Sequence, residues 1–524
     1  MTSTPHPALI HSAALGIAAT DDPSCSIDTR VLWGGVPADL KHLSPHFLFV
    51  GSTGSGKTTL LKMLMFSLFP SPSPSFDLKY RGLIYDPKPE FFPALCAMGV
   101  PPDSIILTNP YDLRSSAWDV AADVTTPAHA TELAEAIVPT TSDGRKSGDD
   151  LFWSLAANQT VEAAARALLV NRPGAWDVRD LAAASLEEDT RRTLLSSTTQ
   201  GRLVLDKYLN TKDKHRAGID AQIMSRVGWL RTLGDLWRHA SYRFSFRGWS
   251  RGAGILLVGR DPDAPRSIDR INHLLLRWAF NSLLGRPDGL DMTHDRTWLI
   301  IDELTQAGSF PDFGHFLRMC RSKGVHVCLA FQDSSGLASA FTRDEVRSVI
   351  NQCGNRAACA MNSFDECEFA SRLFRHHETS RTSKTHGANK DSSYTTHKET
   401  RPVVPPEYIQ NLRLVRQLGG GLEGYFHTQS AGTFHRLIDP ETRHKMLGPI
   451  DRACVHRWPP SLPRPQAHQR ELPTDSELAE SVTSTASVTP PARRDTAPAD
   501  SIRSAVEPDR LLSRRPRHLK HLDV

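Results

Sequence analysis

The sequence predicts an α/β fold: a mostly parallel, twisted β-sheet interrupted by an inserted all-α region. Three observations lead there. Short apolar runs such as HFLFV (46–50), GILLVG (254–259) and VHVCLAFQ (325–332) alternate with longer stretches whose apolar residues recur at helical spacing, and strands alternating with helices imply parallel pairing with both faces covered. The first of these runs passes directly into GSTGSGKTT (51–59) and then into a helical pattern from about Lys57 to Phe69. Between about 125 and 240 the strand signal disappears, while ATELAEAIV, FWSLAANQTVEAAARALLV and AQIMSRVGWLRTLGDLW keep the helical period.

Residues 1–30 carry no regular pattern. After the glycine loop the helix is stopped by PSPSPS, and GLIYD (82–86) and SIILTN (104–109) read as the second and third strands. Beyond the helical region, strands return at 254–259, TWLIIDE (297–303), 325–332 and RAACAM (356–361), with RINHLLLRWAFNSLLG as a helix between them. HHETSRTSKTHGANKDSSYTTHKET (376–400) is polar and reads as a mobile loop, after which structure continues to about 450. The rest is rich in Pro, Ser, Arg and Ala, reads as disordered, and ends in the basic SRRPRHLKHL, a solvated tail or a contact for nucleic acid or a partner. The expected organisation is an irregular segment 1–30, a nucleotide-binding domain from 31–124 and 241–450, an all-α domain 125–240, and a disordered tail 451–524. A length of 524 residues accommodates roughly two or three domains.

Composition narrows the class. Hydrophobic content of 39% and charged content of 23% suit a soluble globular protein. A net charge of +4 permits nucleic-acid binding, but only through a local basic patch. The 8 cysteines form no C-x-x-C pair and read as reduced thiols of a cytosolic chain; Cys320, Cys328, Cys353, Cys359 and Cys367 fall in or near apolar segments. No apolar run reaches the roughly 18 residues of a membrane span, and the first residues lack the pattern of a signal peptide. The expectation is a cytoplasmic protein that reaches the inner membrane, if at all, through a partner.

The loop Gly51-Ser52-Thr53-Gly54-Ser55-Gly56-Lys57-Thr58, with Thr59 behind it, fits G-x-x-x-x-G-K-[ST] between a strand and a helix. Its backbone N–H groups and the helix N-terminus would converge on a β-phosphate, with the glycines allowing close approach. Lys57 would reach the β- and γ-phosphates and Thr58 would offer its hydroxyl to Mg²⁺. TWLIIDE is an apolar strand ending in two carboxylates: Asp302 would hold the metal through its water shell, and Glu303 would polarise the attacking water. An adjacent Asp-Glu pair points to ATP-hydrolysing P-loop NTPases of the RecA-like and AAA-like group. The next strand ends at Gln332, placed to sense a γ-phosphate. Between them LRMCRSKG offers Arg318, Arg321 and Lys323; Arg321 is the candidate for a cation supplied to a neighbouring subunit's site.

At this point several segments together resemble the coupling proteins of type IV secretion, the TraD/TrwB group of FtsK/HerA-like ATPases. They are GLIYDPKPEFF, LTNPYDLRSSAWDV, SGDDLFWSLAANQTVEAAARALL, IIDELTQAGSFPDFGHFLRMCRSKGVHVCLAFQD and RPVVPPEYIQNL, in this order over about 40 to 440. The resemblance implies an ATPase that assembles as a homo-hexameric ring, moves DNA through its central channel, and links processed DNA and its relaxase to the secretion channel. It assigns Lys57 and Thr58 to nucleotide and metal, Asp302 and Glu303 to metal and water, Arg321 to the trans-acting finger, Gln332 to the sensor, and Asp86 to a position facing the nucleotide. The chain departs from the family's pattern in having no transmembrane helix and in carrying Pro89 where family members have glycine.

Two other readings stand beside this one: a soluble FtsK/HerA-type translocase serving chromosome handling, repair or defence, and a nucleotide-binding adaptor that recruits relaxase without pumping. The stretch with Trp229, Trp237, Tyr242 and Trp249 among Arg226, Arg231, Arg238, Arg243, Arg247 and Arg251 is the densest basic-aromatic segment. It reads either as core aromatics with solvated arginines or as a grip on single-stranded DNA.

Overall fold

In the computed structural model the described residues run from 30 to 447, except 72–77, 141–147, 211–212, 241, 262, 290–295, 308–312 and 387–391. The irregular segment expected before residue 30 and the tail expected from 451 lie outside the described residues. Strands β1 (Arg30–Trp33) and β2 (Val36–Asp39) form a hairpin turned by Gly34 and Gly35, whose φ values of 59° and 74° suit a two-residue primed turn. The remaining strands are β3 (His46–Val50), β4 (Arg81–Asp86), β5 (Ile105–Leu107), β6 (Ser116–Trp118), β7 (Tyr242–Phe244), β8 (Ile255–Gly259), β9 (Thr297–Ile301), β10 (Val325–Phe331), β11 (Asn355–Ala358), β12 (His376–His386), β13 (Ser392–Pro402), β14 (Leu422–Thr428) and β15 (Gly432–Ile438). Nine of them share one sheet in the order β15-β14-β11-β3-β10-β9-β4-β8-β5. Every pair from β5 across to β11 is parallel; only β14 and β15 join antiparallel.

The central strands are apolar throughout because both faces are buried, and successive residues feed two different cores. Phe47, Phe49, Ile84, Trp298 and Ile300 face the core that holds helix α1 (Lys57–Leu68) and Trp33. Trp33 closes that face with edge-on contacts to Phe47, Phe49 and Phe426 at ring-centroid distances of 5.3, 5.3 and 5.5 Å. Leu48, Val50, Tyr85, Leu299, Ile301 and Phe331 face the other core, which continues without a break into the helical region.

That helical region springs from the parallel pair β6–β7. Among the described residues between these strands there are only helices, beginning with a short turn, then α2 (Pro127–Ile137) and α3 (Gly148–Asn171). Thr126 caps α2 and Pro127 occupies its first position. Helix α3 is surrounded by its neighbours, and Ala163, Ala164, Ala165 and Ala167 let them approach on several sides. Asp123 ties the base of the region: its carboxylate accepts the Trp118 indole N–H (2.7 Å) and the backbone N–H groups of Phe246 (2.8 Å) and Arg247 (2.9 Å), while burial raises its pKa. The chain then returns through β8 and α4 (Pro265–Leu284) to β9, and through α5 (Phe313–Met319) to β10. Cys320, Cys328, Cys353, Cys359 and Cys367 are buried and free, packing as the apolar residues their segments suggest. No helix among the described residues is long and apolar enough to cross a membrane.

One segment departs from the sequence reading. The polar stretch 376–400 contains β12 and β13, two strands paired antiparallel over eleven positions, His376 opposite Pro402 and His386 opposite Ser392. An apolar-polar alternation marks a strand only where one face joins a core, and among the described residues this hairpin pairs only with itself, outside the main sheet.

Burial at the N-terminal edge of the sheet has a consequence in acid. His326, on β10, is enclosed and stacked on Trp298 with centroids 4.6 Å apart; burial lowers its pKa to about 3. The folded pKa lies below the unfolded value, so stability is fully present above about pH 6.5 and is lost as pH falls toward 3. Replacing it with an apolar ring removes this linkage. Between pH 6.5 and 4.5, denaturant titrations of His326→Phe should lose about 2–3 kcal/mol less stability than wild type; identical losses would remove His326 from the acid response.

Candidate active site

The site is assembled by three neighbouring parallel strands that end at the same edge. Phe331 pairs with Val50 and Leu329 with Ile301, so the residues following β3, β9 and β10 emerge side by side at the carboxyl ends of the strands, the usual place for a ligand crevice. Those residues are the glycine loop, the Asp302–Glu303 pair and Gln332.

The loop wraps the start of α1. Gly56 adopts φ 101° as the N-cap residue, and a Cβ there would stand 2.2 Å from Leu422 Cδ2 and 3.0 Å from Val415 Cγ2, so only glycine fits. Ser52 is anchored through its N–H and hydroxyl to the Ala360 carbonyl, each at 2.9 Å, and the Val415 N–H donates to the Gly54 carbonyl at 3.2 Å. No side chain caps α1, which leaves its first N–H groups turned to the cavity. Lys57 folds back so that its ammonium donates to the carbonyls of Gly51 and, at 3.2 Å, Ser52; burial lowers its pKa.

Thr58 Oγ1 lies 2.8 and 3.0 Å from the two carboxylate oxygens of Asp302, across 244 residues of sequence. Burial raises the Asp302 pKa to about 6, against the bond from Thr58, and the carboxylates of Glu90 and Glu303 push the same way. Glu303 is buried and accepts from the Thr305 hydroxyl at 2.7 Å. Gln332 Oε1 accepts from Thr53 Oγ1, also at 2.7 Å. These groups line one cavity of 240 Å³, with Thr59 in its wall. A hydroxyl and a carboxylate in contact beside open helix N–H groups are the hard oxygen donors that suit Mg²⁺ bound together with phosphate.

Sequence reasoning missed two residues in this wall, Lys88 and Val415. Lys88 stands two residues beyond the end of β4, and its place in YDPK was a usable signal; Val415 belongs to a distant turn with no motif of its own. Asp86 does not face the nucleotide cavity. Its fully buried carboxylate accepts from the N–H groups of Phe91 (2.7 Å) and Lys88 (3.2 Å), and burial raises its pKa to about 6. Arg321 stands apart from the rest. It is exposed in the turn before β10, whereas Gln332 follows that strand, and its seven residues span roughly 23 Å. Within its own chain Arg321 is not part of the cavity.

Residues 30–427 match the family model of the type IV secretion-system coupling protein DNA-binding domain. The chain belongs to the type IV secretion-system coupling proteins. This coupling protein shares its fold with the bacterial conjugative coupling protein TrwBΔN70 in its unbound monoclinic form, at 19% identity and a TM-score of 0.60 over 79% of this chain and 89% of that one. The plasmid coupling protein TrwB in complex with ADP and Mg²⁺ matches at 18% identity and a TM-score of 0.58, over 82% and 92%. TrwB in complex with the GTP analogue GDPNP matches at 19% and 0.59, over 79% and 90%. No curated protein matches the chain.

Proposed function

We propose that this coupling protein binds ATP with Mg²⁺ in the cavity at the ends of β3, β9 and β10, and hydrolyses it to drive DNA transfer in a conjugative system. The observation that carries the reading is the contact of Thr58 with Asp302 in a cavity that Lys57, Glu303 and Gln332 also line. The loop N–H groups of Gly51–Thr59 and the start of α1 hold the β-phosphate. Lys57 exchanges its backbone carbonyls for β- and γ-phosphate oxygens, whose negative charge offsets the burial that lowers its pKa. Thr58 and Asp302 would hold Mg²⁺, which when bound screens the phosphate charge. Glu303 orients and deprotonates the attacking water, and Thr305 fixes that carboxylate. Gln332, within reach of the loop through Thr53, reports the γ-phosphate to β10.

Arg321 completes the site of the next subunit, which makes a closed homo-hexameric ring the working assembly. In this reading the residues from 31–124 and 241–450 form the motor, 125–240 the helical domain, and DNA, relaxase and secretion-channel proteins are the partners. The chain works in the cytoplasm and docks at the inner membrane through one of them.

The test is ATP turnover with and without DNA, measured alongside particle mass. Wild type should turn over ATP faster with DNA and sediment as a ring. Lys57→Ala should weaken nucleotide binding by at least about tenfold, since two charge-assisted bonds to phosphate are lost, and should abolish DNA transfer. A wild type without turnover, together with transfer that survives Lys57→Ala, would leave an adaptor and end the motor reading.

A further inference from the structure

Two clefts adjoin along α4, away from the nucleotide cavity. One, of 780 Å³, is lined by Arg226, Arg270, Arg277 and Trp229; the other, of 600 Å³, by Arg247, Arg251 and Arg286. Glu132 and Asn281 border both, so the clefts meet there as one furrow between α2 and α4.

The charge balance of this furrow is one-sided. Among its described lining residues, Arg247, Arg251, Arg270 and Arg277 face two carboxylates, those of Asp123 and Glu132, while Arg226 and Arg286 are engaged elsewhere. Asp123 is spent on the Trp118 indole and two backbone N–H groups, and Glu132 stands 3.6 Å from Arg277. Arg251 and Arg270 are exposed and make no ion pair with any described residue. Arg247 gives one guanidinium nitrogen to the Thr125 hydroxyl at 3.1 Å and keeps the others. In a chain whose whole net charge is +4, this is a concentrated surplus.

The aromatic side chains sort in the same way. Trp237 and Trp249 are core residues, whereas Trp229 is half-buried in the furrow wall, with its indole N–H already bonded to the Arg226 carbonyl at 2.9 Å. Its ring packs in part on the core, and the part that lines the furrow offers a stacking surface rather than a hydrogen bond. The furrow also reaches the motor: His273 Nε2, in its wall, lies 3.1 Å from the carbonyl of Ala307, on the short helix that follows Glu303.

We propose that this furrow takes a single strand of DNA, holding its phosphates with Arg247, Arg251 and Arg270 and stacking a base on Trp229. The proposal rests on the coupling reading and says where that DNA is gripped. Cations spaced along a walled groove beside one aromatic face are what an extended, sequence-independent strand needs. Helices flank the furrow on both sides, which favours a strand over a duplex. Occupancy would press on α4 and, through His273, on the segment behind Glu303, so DNA binding and turnover are coupled.

The test uses the full chain and a fluorescein-labelled thymidine oligonucleotide, followed by anisotropy over a range of salt. Arg251→Ala with Arg270→Ala should weaken binding by about tenfold, equally for other base sequences, and reduce the salt slope by about 1.4, or 0.7 for each lost phosphate contact. ATP turnover without DNA should be unchanged while its stimulation by the strand falls. Glu132→Gln, which removes the furrow's exposed acid, should tighten binding. If affinity and salt slope stay at wild-type values in both variants, or if duplex competes as well as single strand, the furrow is not the path. A wild type that neither binds the oligonucleotide nor turns over ATP faster with it would instead overturn the coupling reading.

Discussion

Glu303→Gln should hold ATP and almost cease to hydrolyse it. The substitution keeps the size of the side chain, and the amide oxygen can still accept from Thr305, whose bond at 2.7 Å now fixes the carboxylate. What is lost is the negative charge and the basicity that draw a proton from water. General-base catalysis contributes about 10²–10⁴-fold, so kcat should fall by about that factor. Nucleotide affinity should change little, because in the proposed function phosphate and metal fall to other residues of the cavity, the loop, Lys57, Thr58 and Asp302. Steady-state turnover and a fluorescent-nucleotide titration on the same preparation separate the two quantities. Turnover within a few-fold of wild type would move the base to another residue, and loss of nucleotide binding would make Glu303 a structural support of the cavity.

How far this site could be read from sequence follows from where its parts lie. The loop, Asp302, Glu303 and Gln332 each end an apolar run, and such runs mark strands buried on both faces, as β3, β9 and β10 are. Parallel strands with helical crossovers bring their carboxyl ends to one edge, so polar residues placed there converge although 244 residues separate Thr58 from Asp302. Strand order carried no such signal. That β11 lies beside β3, with β14 and β15 added antiparallel at that side, depends on packing between distant segments. Side-chain direction was equally hidden. Asp86 ends a buried strand just as Asp302 does, yet the turn after it supplies two N–H donors and holds it inward. The hairpin β12–β13 was missed because the signal sought was burial, and the dense basic-aromatic stretch was a mixture that only burial could sort: Trp237 and Trp249 into the core, Trp229 to the furrow.

Arg321→Ala carries the largest expected loss, and its interpretation depends on a mixing experiment. The side chain lies at the edge of the sheet opposite the cavity, near His46, whose pKa is lowered to about 4 chiefly by burial and to a lesser degree by the Arg321 charge. His46 begins β3, whose other end is the glycine loop, and its Nε2 lies 3.3 Å from the carbonyl of Leu317 in α5. The strands whose ends form the cavity thus also hold the cation proposed for the next subunit. A finger of this kind is worth about 10³–10⁵ in turnover, so Arg321→Ala rings should be nearly inactive while binding ATP normally. Loss alone would not show that the arginine acts across an interface. Mixing Arg321→Ala with Glu303→Gln subunits does, because each defect lies on a different side of the interface. At equal ratio about a quarter of the interfaces in a randomly mixed ring pair an intact Glu303 with an intact neighbouring Arg321. Turnover should then rise far above the sum of the two inactive parents, to about a quarter of wild type if interfaces fire independently. A solvated surface arginine predicts something quite different, a change within about 0.5 kcal/mol and no gain on mixing. The two outcomes are separated by orders of magnitude, so a single titration of one variant against the other decides whether the site is shared between subunits.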